Sequence, residues 1–454
     1  MERKKVLGFW DMLLFSFCAI FGVEAIAITA AIGPSAVSWW LIIIAGYFLP
    51  AGLIAAEQGS TYPAQGGIYT WVKRAFGSKW AARTTWYYWI SLPIWIPAMY
   101  IAFAEIFGHM FFPDMPLWAQ VAFGIVMIWV TVGVNICPLK SSKWVTNIGS
   151  ITKFVVVGGM ITAAITFFIK NGGMANPISL SGILPNFNAA IIYIPIIIYN
   201  VVGSELISSA AGEMKNPKVD VPRAVILSAL AIGSLYLLCT LAMWTVIPID
   251  QIKVSSGIIQ MFIIAFNART ELKLITIVIG MFILSTLFTE VVAWTLGENR
   301  TVAAAANDGD FPKIFALLTK NGAPLGASVL SGMVSTVIIV IYGFLANDAG
   351  ELFWNVTSFC MVVGLFSYLI HFPAFICLRK RDRDIVRPYR VPGPDWVAYL
   401  LAILAGSFIL ATVVILALQP GEDFFRSALP IMTGSAIAVI AGEVLIIRKI
   451  APSK

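Results

Sequence analysis

Charged residues are scarce in this sequence. Lys, Arg, Asp and Glu make up only 12% of its 454 residues, whereas 59% of them are hydrophobic. A mean hydropathy of +0.88 is far above what a soluble core requires, and it excludes a soluble globular protein. Apolar runs of about 20 residues recur along the whole chain, as expected of helices that cross a bilayer.

Histidine and cysteine are also rare, and those present form no metal-binding pattern. The two histidines lie far apart in the sequence, and the five cysteines are Cys18, Cys137, Cys239, Cys360 and Cys377. We interpret these cysteines as small apolar side chains in or beside spans rather than as disulfides. No nucleophile–base pair, phosphate-binding loop or cleavable signal peptide is recognisable, so we expect neither an enzyme nor a cofactor.

Twelve apolar runs are long enough to cross a bilayer as helices. We predict spans at 8–33, 38–58, 84–110, 116–136, 145–169, 188–210, 222–246, 274–304, 324–345, 352–378, 395–418 and 427–448. The sequence therefore predicts an all-α integral membrane protein, with a single transmembrane domain over residues 1–454.

Lys and Arg are unevenly distributed between the loops that these spans define. If the N-terminus is cytoplasmic, 24 of the 30 basic residues fall on that side and 5 on the other, and Lys153 alone lies deep inside a span. Because positive charge accumulates on the cytoplasmic side of membrane proteins, we predict that both termini are cytoplasmic, in the plasma or inner membrane.

Two of the spans combine a glycine with an ionisable residue. Phe17–Ala27 carries Gly22 and Glu24, and Tyr199–Glu205 ends on a second glutamate. A carboxylate at membrane depth costs roughly 2 to 4 kcal/mol, so it persists where it meets water, a partner or a substrate. Apolar segments interrupted by glycine form the discontinuous helices of transporters. We therefore predict that spans 1 and 6 are broken and line one substrate site.

Several motifs resemble the amino acid–polyamine–organocation superfamily of transporters. They are PAGLIAAEQGSTYPAQGGIYTWVKRAFG (50–77), GEMKNPKVDVPRA (212–224) and AAANDGDFPKIFALLTKNGAP (304–324), and the resemblance covers nearly the whole chain. SGIIQMF (256–262) and TEVVAW (289–294) are most similar to the bacterial glutamate/GABA antiporters. That group also contains exchangers of an amino acid for its decarboxylated amine.

This resemblance implies a LeuT-like fold and transport by alternating access. Residues 1–169 and 188–378 would form two inverted repeats of five helices each, and 395–448 would add two helices. The implied partners are the lipid bilayer and a small-molecule substrate, which is an amino acid or its amine.

The interrupted segments and the resemblance together select the candidate substrate-binding residues. Ile20-Phe21-Gly22 replaces the Gly-Ser-Gly that is common in the family, which departs from the standard cradle for an α-amino acid. The candidates are Ile20, Phe21, Gly22, Val23 and Glu24 in span 1, Trp95 and Met99 in span 3, Tyr199, Asn200, Gly203, Ser204 and Glu205 in span 6, and Glu290 and Trp294 in span 8.

Alternative interpretations stay open for the residues of the two interrupted segments. Glu24 is either a counter-ion for a cationic amine, a proton carrier, or a carboxyl group that Lys153 neutralises or that is protonated without a role. Gly22 is either part of the break or a helix-packing contact. Glu205 aligns with a glutamate of many family members, where a proton-linked or structural role is as reasonable as direct contact. Tyr199 is a candidate gate.

Two residues in other spans also have a counterpart in the family. Lys153 aligns with a lysine of sodium-independent relatives, where it resembles a built-in substitute for a sodium ion. The alternative is a lysine that snorkels to the membrane edge. Trp294 matches an aromatic residue that lies against the substrate in arginine/agmatine exchangers, and an ammonium over an indole face is stabilised by roughly 0.5 to 2 kcal/mol.

We therefore expect a sodium-independent secondary transporter, an antiporter of amino acids or their amines that favours amine-bearing or cationic substrates. A second hypothesis is proton-coupled exchange of the glutamate/GABA kind, in which the carboxylates carry protons. A third is a non-transporting receptor or subunit with the same fold. The sequence leaves open the exact substrate, proton coupling and the formation of a homodimer.

Overall fold

Most of the chain is described by a computed structural model. The described residues are 7–64, 66–112, 115–177, 179–187, 191, 194–253, 257–266, 273–346, 349–418 and 428–450. Within these ranges every regular element is a helix, and an isolated β-bridge joins Leu7 to Met214.

The helices are numbered in chain order. They are α1 (Phe9–Ile20), α2 (Glu24–Ala30), α3 (Ala36–Ile43), α4 (Leu49–Thr61), α5 (Ile68–Phe76), α6 (Ser78–Phe111), α7 (Leu117–Asn135), α8 (Leu139–Asn171), α9 (Leu180–Ile183), α10 (Ile194–Tyr199), α11 (Pro217–Val246), α12 (Gly257–Phe266), α13 (Lys273–Asn307), α14 (Leu325–Leu345), α15 (Ala349–Arg381), α16 (Asp395–Leu418) and α17 (Leu429–Ile450). A π-helical turn over Ile44–Phe48 joins α3 to α4 in one continuous span.

The helices agree with the predicted spans. Within the described ranges, nine helical segments are long and apolar enough to cross a bilayer, and α1 with α2 forms a tenth, bent span. These ten correspond to predicted spans 1–5 and 7–11. The sixth predicted span contains α10, and the twelfth corresponds to α17. The prediction of an all-helical membrane protein is therefore confirmed.

One helix, α12, was not predicted as an element of its own. It contains the SGIIQMF segment except for its first residue, is too short to cross a bilayer, and packs against α8. Apolar runs of this length carry too little periodicity for a sequence pattern to identify them as helices.

The first span is interrupted at residues 21–23. The helix α1 ends where Phe21 adopts φ −81° and ψ 87°, and α2 begins at Glu24, so that the two halves meet at 50°. A helix end leaves backbone groups without helical partners. Because α1 packs against α8, α11 and α13, side chains of those helices can supply the missing partners.

The sixth span is interrupted as well. After α10 ends at Tyr199, the chain passes through Gly203 with φ +110°, and a 3₁₀ helix follows over Leu206–Glu213. Glycine adopts this φ without the steric penalty that a Cβ brings. Both interruptions lie in the two segments that the sequence selected, although 188–190 and 192–193 of the predicted span lie outside the described residues.

Candidate substrate site

The two interruptions border a narrow cavity in the middle of the bundle. Its volume is about 40 Å³, which is room for a few water-sized groups. Residues of α1, α2, α6, α10, α13 and α15 line it. Eight of the predicted site residues are among them, namely Ile20, Glu24, Trp95, Met99, Tyr199, Asn200, Glu290 and Trp294.

The other predicted site residues lie behind the cavity wall. Phe21, Gly22 and Val23 form the first interruption, Gly203, Ser204 and Glu205 belong to the second, and Lys153 lies on α8. These residues can shape the cavity through their neighbours, but they are not part of its surface in this structure.

Lys153 is completely buried and holds the end of α1. Its Nζ donates to the backbone oxygen of Cys18 at 2.5 Å and to Oε2 of Glu290 at 2.7 Å. The ammonium therefore joins the first interruption to α13. The snorkelling alternative is wrong, and the carboxylate that pairs with Lys153 is that of Glu290, not that of Glu24.

Trp294 contacts the end of α1 and the second interruption. Its Nε1 donates to the backbone oxygen of Ala19 at 2.7 Å, and a Cβ atom on Gly203 would lie only 2.9 Å from its ring. Trp95 packs edge-on against the indole, with 6.4 Å between the ring centroids. The indole thus ties the two broken spans together while it forms part of the cavity wall.

Tyr236 of α11 satisfies two more backbone groups of the first interruption. Its hydroxyl accepts from the N–H of Gly22 at 2.7 Å and donates to the oxygen of Ile20 at 3.2 Å. The ring is fully buried and stacks on Trp40. Sequence reasoning missed this residue, because a single tyrosine in an apolar span carries no local signal of its partner.

Glu24 is the first residue of α2, and its carboxylate lies over the first interruption. A Cβ atom on Gly22 would collide with Oε1 of Glu24. The other carboxylate oxygen, Oε2, is buried without a hydrogen-bond partner. An unsatisfied buried acceptor of this kind is costly, so it marks the place where a donor from a ligand would be favourable.

Two more side chains of the cavity wall also have an unpartnered polar atom, and the sequence reasoning missed both. They are Glu298 with Oε2 and Thr357 with Oγ1. The signal for Glu298 was present, because Glu290, Trp294 and Glu298 are spaced by four residues and share one helix face. Thr357 gave no signal, since threonines in apolar helices commonly bond to their own backbone.

Glu205 lies off the cavity and bonds to two tyrosines. Its Oε1 accepts from the hydroxyls of Tyr88 at 2.9 Å and Tyr368 at 2.7 Å. Both bonds connect the second interruption to neighbouring helices, α6 and α15. The geometry favours a structural role for Glu205 over direct contact with a ligand.

The ionisable side chains of the cavity wall are acidic. Its lining residues include three glutamates, at 24, 290 and 298, and the described lining contains no Lys, Arg or His. Lys153 neutralises Glu290, which leaves two carboxylates without a basic partner at the wall. Together with the indoles of Trp95 and Trp294, this arrangement suits a cation.

A polar network lies at the end of the bundle where α1 begins, near Leu7. Lys73 of α5 lies 2.8 Å from both Asp308 and Asp310, and Tyr69 donates to both carboxylates. Burial alone would raise the pKa of Asp310, but the bonds from Lys73 and Tyr69 outweigh it and hold that pKa below its usual range. The network ties α5 to the loop that follows α13.

Comparisons with known proteins agree with this architecture. The family model described as "Amino acid permease" matches residues 7–441. The "Probable agmatine/putrescine antiporter" of Lactococcus lactis is 32% identical, over 98% of this chain and 96% of its own length. The glutamate/gamma-aminobutyrate antiporter of the same organism is 24% identical, over 79% of this chain and 74% of its own length.

A solved structure shows the same fold. The manganese transporter of Eremococcus coleocola, crystallised with an aromatic bis-isothiourea compound, matches with a TM-score of 0.62 at 12% identity. The match covers 97% of this chain and 93% of that one. Similarity at this level of identity concerns the fold alone.

These comparisons confirm the superfamily and the class of activity expected from the motifs. The chain is a multi-pass membrane protein and a secondary transporter of amino acids or amines, of the antiporter type, rather than an enzyme. Its partners are a small-molecule substrate and the membrane lipid. The chain belongs to the amino acid permease family, within the amino acid–polyamine–organocation superfamily.

Proposed function

We propose that the protein is a sodium-independent antiporter of the plasma membrane that exchanges slender dicationic amines. The observation that carries this proposal is the pair of unpartnered carboxylate oxygens, on Glu24 and Glu298, at the wall of one cavity. The relative with 32% identity is named for agmatine and putrescine, both of which carry two cationic groups and no carboxylate.

The spacing of the carboxylates along the cavity supports a substrate with a charge at each end. Glu290 and Glu298 are eight residues apart on α13, which is about 12 Å along the helix axis. Glu24 lies against Gly22 in the first interruption, and Lys153 holds Glu290 next to the same interruption, so Glu24 belongs to that end of the cavity. An extended four-carbon diamine with a hydrogen bond of about 2.9 Å at each end spans roughly the same length.

We assign the stretch between the two carboxylates to the aliphatic part of the substrate. Trp95, Met99 and Trp294 offer apolar and aromatic surface there. Trp294 would also stabilise an ammonium or guanidinium by contact with its ring face. We assign Tyr199, at the end of α10, to gating of the site.

We assign Lys153 to the role that a sodium ion would otherwise fill. A fixed ammonium that binds the Cys18 carbonyl and the Glu290 carboxylate supplies a positive charge at the first interruption without a bound ion. Transport would then need no sodium gradient. Glu205 would stabilise the second interruption through Tyr88 and Tyr368 rather than contact the substrate.

We propose cytoplasmic termini, because 24 basic residues fall on that side and 5 on the other. The network around Lys73 would then close the cytoplasmic face. We also propose that alternating access arises from two inverted repeats, which comprise residues 1–169 and 188–378. Residues 395–448 would add two helices after them.

The experiment is counterflow into liposomes that contain the purified chain. Liposomes loaded with unlabelled putrescine or agmatine should accumulate external labelled amine in sodium-free buffer, and unloaded liposomes should not. Uptake of labelled glutamate or GABA alone would instead support proton-coupled amino acid exchange. Binding without any counterflow would support the receptor hypothesis.

Matched variants test the two carboxylates. Glu24→Gln and Glu298→Gln keep the size of each side chain but remove its charge, and each should weaken the apparent affinity for amines roughly 10- to 100-fold. Glu105→Gln, which changes a glutamate outside the cavity, is the control. If neither cavity variant differs from this control, the assignment of Glu24 and Glu298 is wrong.

A further inference from the structure

We propose that Tyr236, together with Glu24, makes the site selective for an amine over the amino acid from which decarboxylation produces it. This inference rests on the proposed function. It assigns to Tyr236, which does not touch the cavity, a positioning role that determines specificity.

The first step is that the protein's own side chains bond to the polar backbone groups of the last turn of α1 and of the first interruption. An unwound helix segment in a transporter offers such groups to the charged ends of a substrate. Here Lys153 binds the oxygen of Cys18, Trp294 binds that of Ala19, and Tyr236 binds the groups of two further residues.

The second step concerns the backbone N–H of Gly22, the central residue of the first interruption. The N–H of Gly22 donates to the hydroxyl of Tyr236 at 2.7 Å and to the backbone oxygen of Ile20 at 3.0 Å, so it is not available to a substrate carboxylate. The carboxylate of Glu24 covers the same glycine, so closely that a Cβ atom on Gly22 would collide with it. A negative group of the protein already lies where a substrate's α-carboxylate would meet this donor.

The third step is electrostatic. The described cavity wall has no basic side chain, and the nearby ammonium of Lys153 is paired with Glu290. An α-carboxylate on the substrate would therefore meet the like charge of Glu24 and no cation. Removing that carboxylate, as decarboxylation does, leaves an amine that Glu24 attracts.

Pairs of compounds that differ only in this carboxylate test the inference. Putrescine with ornithine, and agmatine with arginine, are compared as competitors of labelled putrescine in liposomes that contain the full chain. The wild type should prefer each amine over its amino acid by roughly 100-fold or more. Equal competition by both members of a pair would overturn the inference and leave the proposed function intact. If no amine is taken up at all, the proposed function itself fails.

Tyr236→Phe keeps the buried ring and removes only the hydroxyl. It removes the nearer of the two acceptors of the Gly22 N–H and leaves the backbone oxygen of Ile20 at 3.0 Å, so it should lower the preference for putrescine over ornithine about 10-fold. Tyr100→Phe is the matched control, because Tyr100 is also fully buried and bonds through its hydroxyl to Thr131, away from the cavity. A ratio that changes equally in both variants, or in neither, would contradict the role of Tyr236.

Glu24→Gln provides a second test if Tyr236→Phe does not fold. It removes the repelling charge at nearly constant volume, so putrescine should compete less well and ornithine better than with the wild type. An equal loss for both compounds would show that Glu24 does not discriminate between them. Size-exclusion profiles of the detergent-purified variants confirm folding before the ratios are compared.

Discussion

Lys153 and Glu290 form an ion pair inside the membrane, with 2.7 Å between Nζ and Oε2 and both side chains buried. The two residues are 137 positions apart, on α8 and α13. The ammonium also binds the backbone oxygen of Cys18 at the end of α1. Three helices therefore meet at one charged group, next to the first interruption.

The first prediction concerns this ion pair. Lys153→Met should destabilise the protein by about 3 to 5 kcal/mol, because it leaves the carboxylate of Glu290 buried without a partner. The double variant Lys153→Met/Glu290→Gln should recover part of the loss. Melting temperatures of the detergent-purified proteins measure both effects. A double variant less stable than Lys153→Met would contradict the pairing.

The second prediction concerns Trp294. Trp294→Leu removes the ring and the N–H, and it should weaken the apparent affinity for agmatine roughly 2- to 30-fold, which corresponds to about 0.5 to 2 kcal/mol. Trp294→Phe keeps an aromatic face but loses the bond to Ala19, so its apparent affinity should lie between those of the wild type and Trp294→Leu. Competition assays with labelled amine rank the three proteins, and equal affinities would rule out a contact between ring and cation.

The third prediction concerns Gly203. An added Cβ atom would lie 2.9 Å from the ring of Trp294, at a residue whose φ of +110° already disfavours side chains. Gly203→Ala should therefore abolish transport and lower the melting temperature. Gly133→Ala on α7 is the control, because a Cβ atom there meets nothing within 4 Å. Equal behaviour of the two variants would show that the second interruption tolerates a side chain.

The fourth prediction concerns pH and the polar network at the end of the bundle where α1 begins. Despite its burial, Asp310 has a lowered pKa because of its bonds to Lys73 and Tyr69. Its contribution to stability is therefore present above the ordinary aspartate pKa of about 3.9, and it is lost as the pH falls through the lower folded value. The difference in melting temperature between the wild type and Lys73→Gln should be constant from pH 5 to pH 7 and should shrink below about pH 4. A difference that already changes between pH 5 and pH 7 would implicate another group.

The fifth prediction concerns the orientation in the membrane. Cys137 is exposed at the end of α7, Cys377 is half-buried, and the other three cysteines are buried. In a Cys377→Ala background, a membrane-impermeant maleimide should label Cys137 in inside-out vesicles and not in right-side-out ones. Cys137→Ser provides the background signal. Labelling of Cys137 in right-side-out vesicles would contradict the proposed topology.

The sequence predicted more of the fold than of the site. Long apolar runs locate spans because a helix satisfies its own backbone in lipid, whatever its neighbours are. Gly22 and Gly203 also indicated where two spans break, since the conformational freedom of glycine is a local property. The sequence offered Glu24 as the carboxylate that Lys153 neutralises, whereas the structure pairs Lys153 with Glu290, a partner that could not be read from the chain.

The sequence did not predict which glutamates face the cavity, because this depends on the direction of each side chain. Glu205 and Glu24 both follow a glycine closely in an interrupted span, yet Glu205 bonds to two tyrosines behind the wall and Glu24 lies on the cavity. Glu298 was missed although it shares a helix face with Glu290 and Trp294. Local sequence cannot separate these cases, because the partners of each group come from helices far away in the chain.

Hydropathy and glycine in the sequence indicated a helical membrane protein, the positions of most of its spans, and the two spans that are interrupted, because each of these properties depends on a few neighbouring residues. The transporter superfamily was indicated by the resemblance of its motifs. The tertiary structure alone decided that Lys153 pairs with Glu290, that Tyr236 bonds to the first interruption, and that Glu24 and Glu298 face one cavity. Burial makes each unpaired charge costly, and the packing of the helices decides which charges find a partner and which remain at the cavity wall.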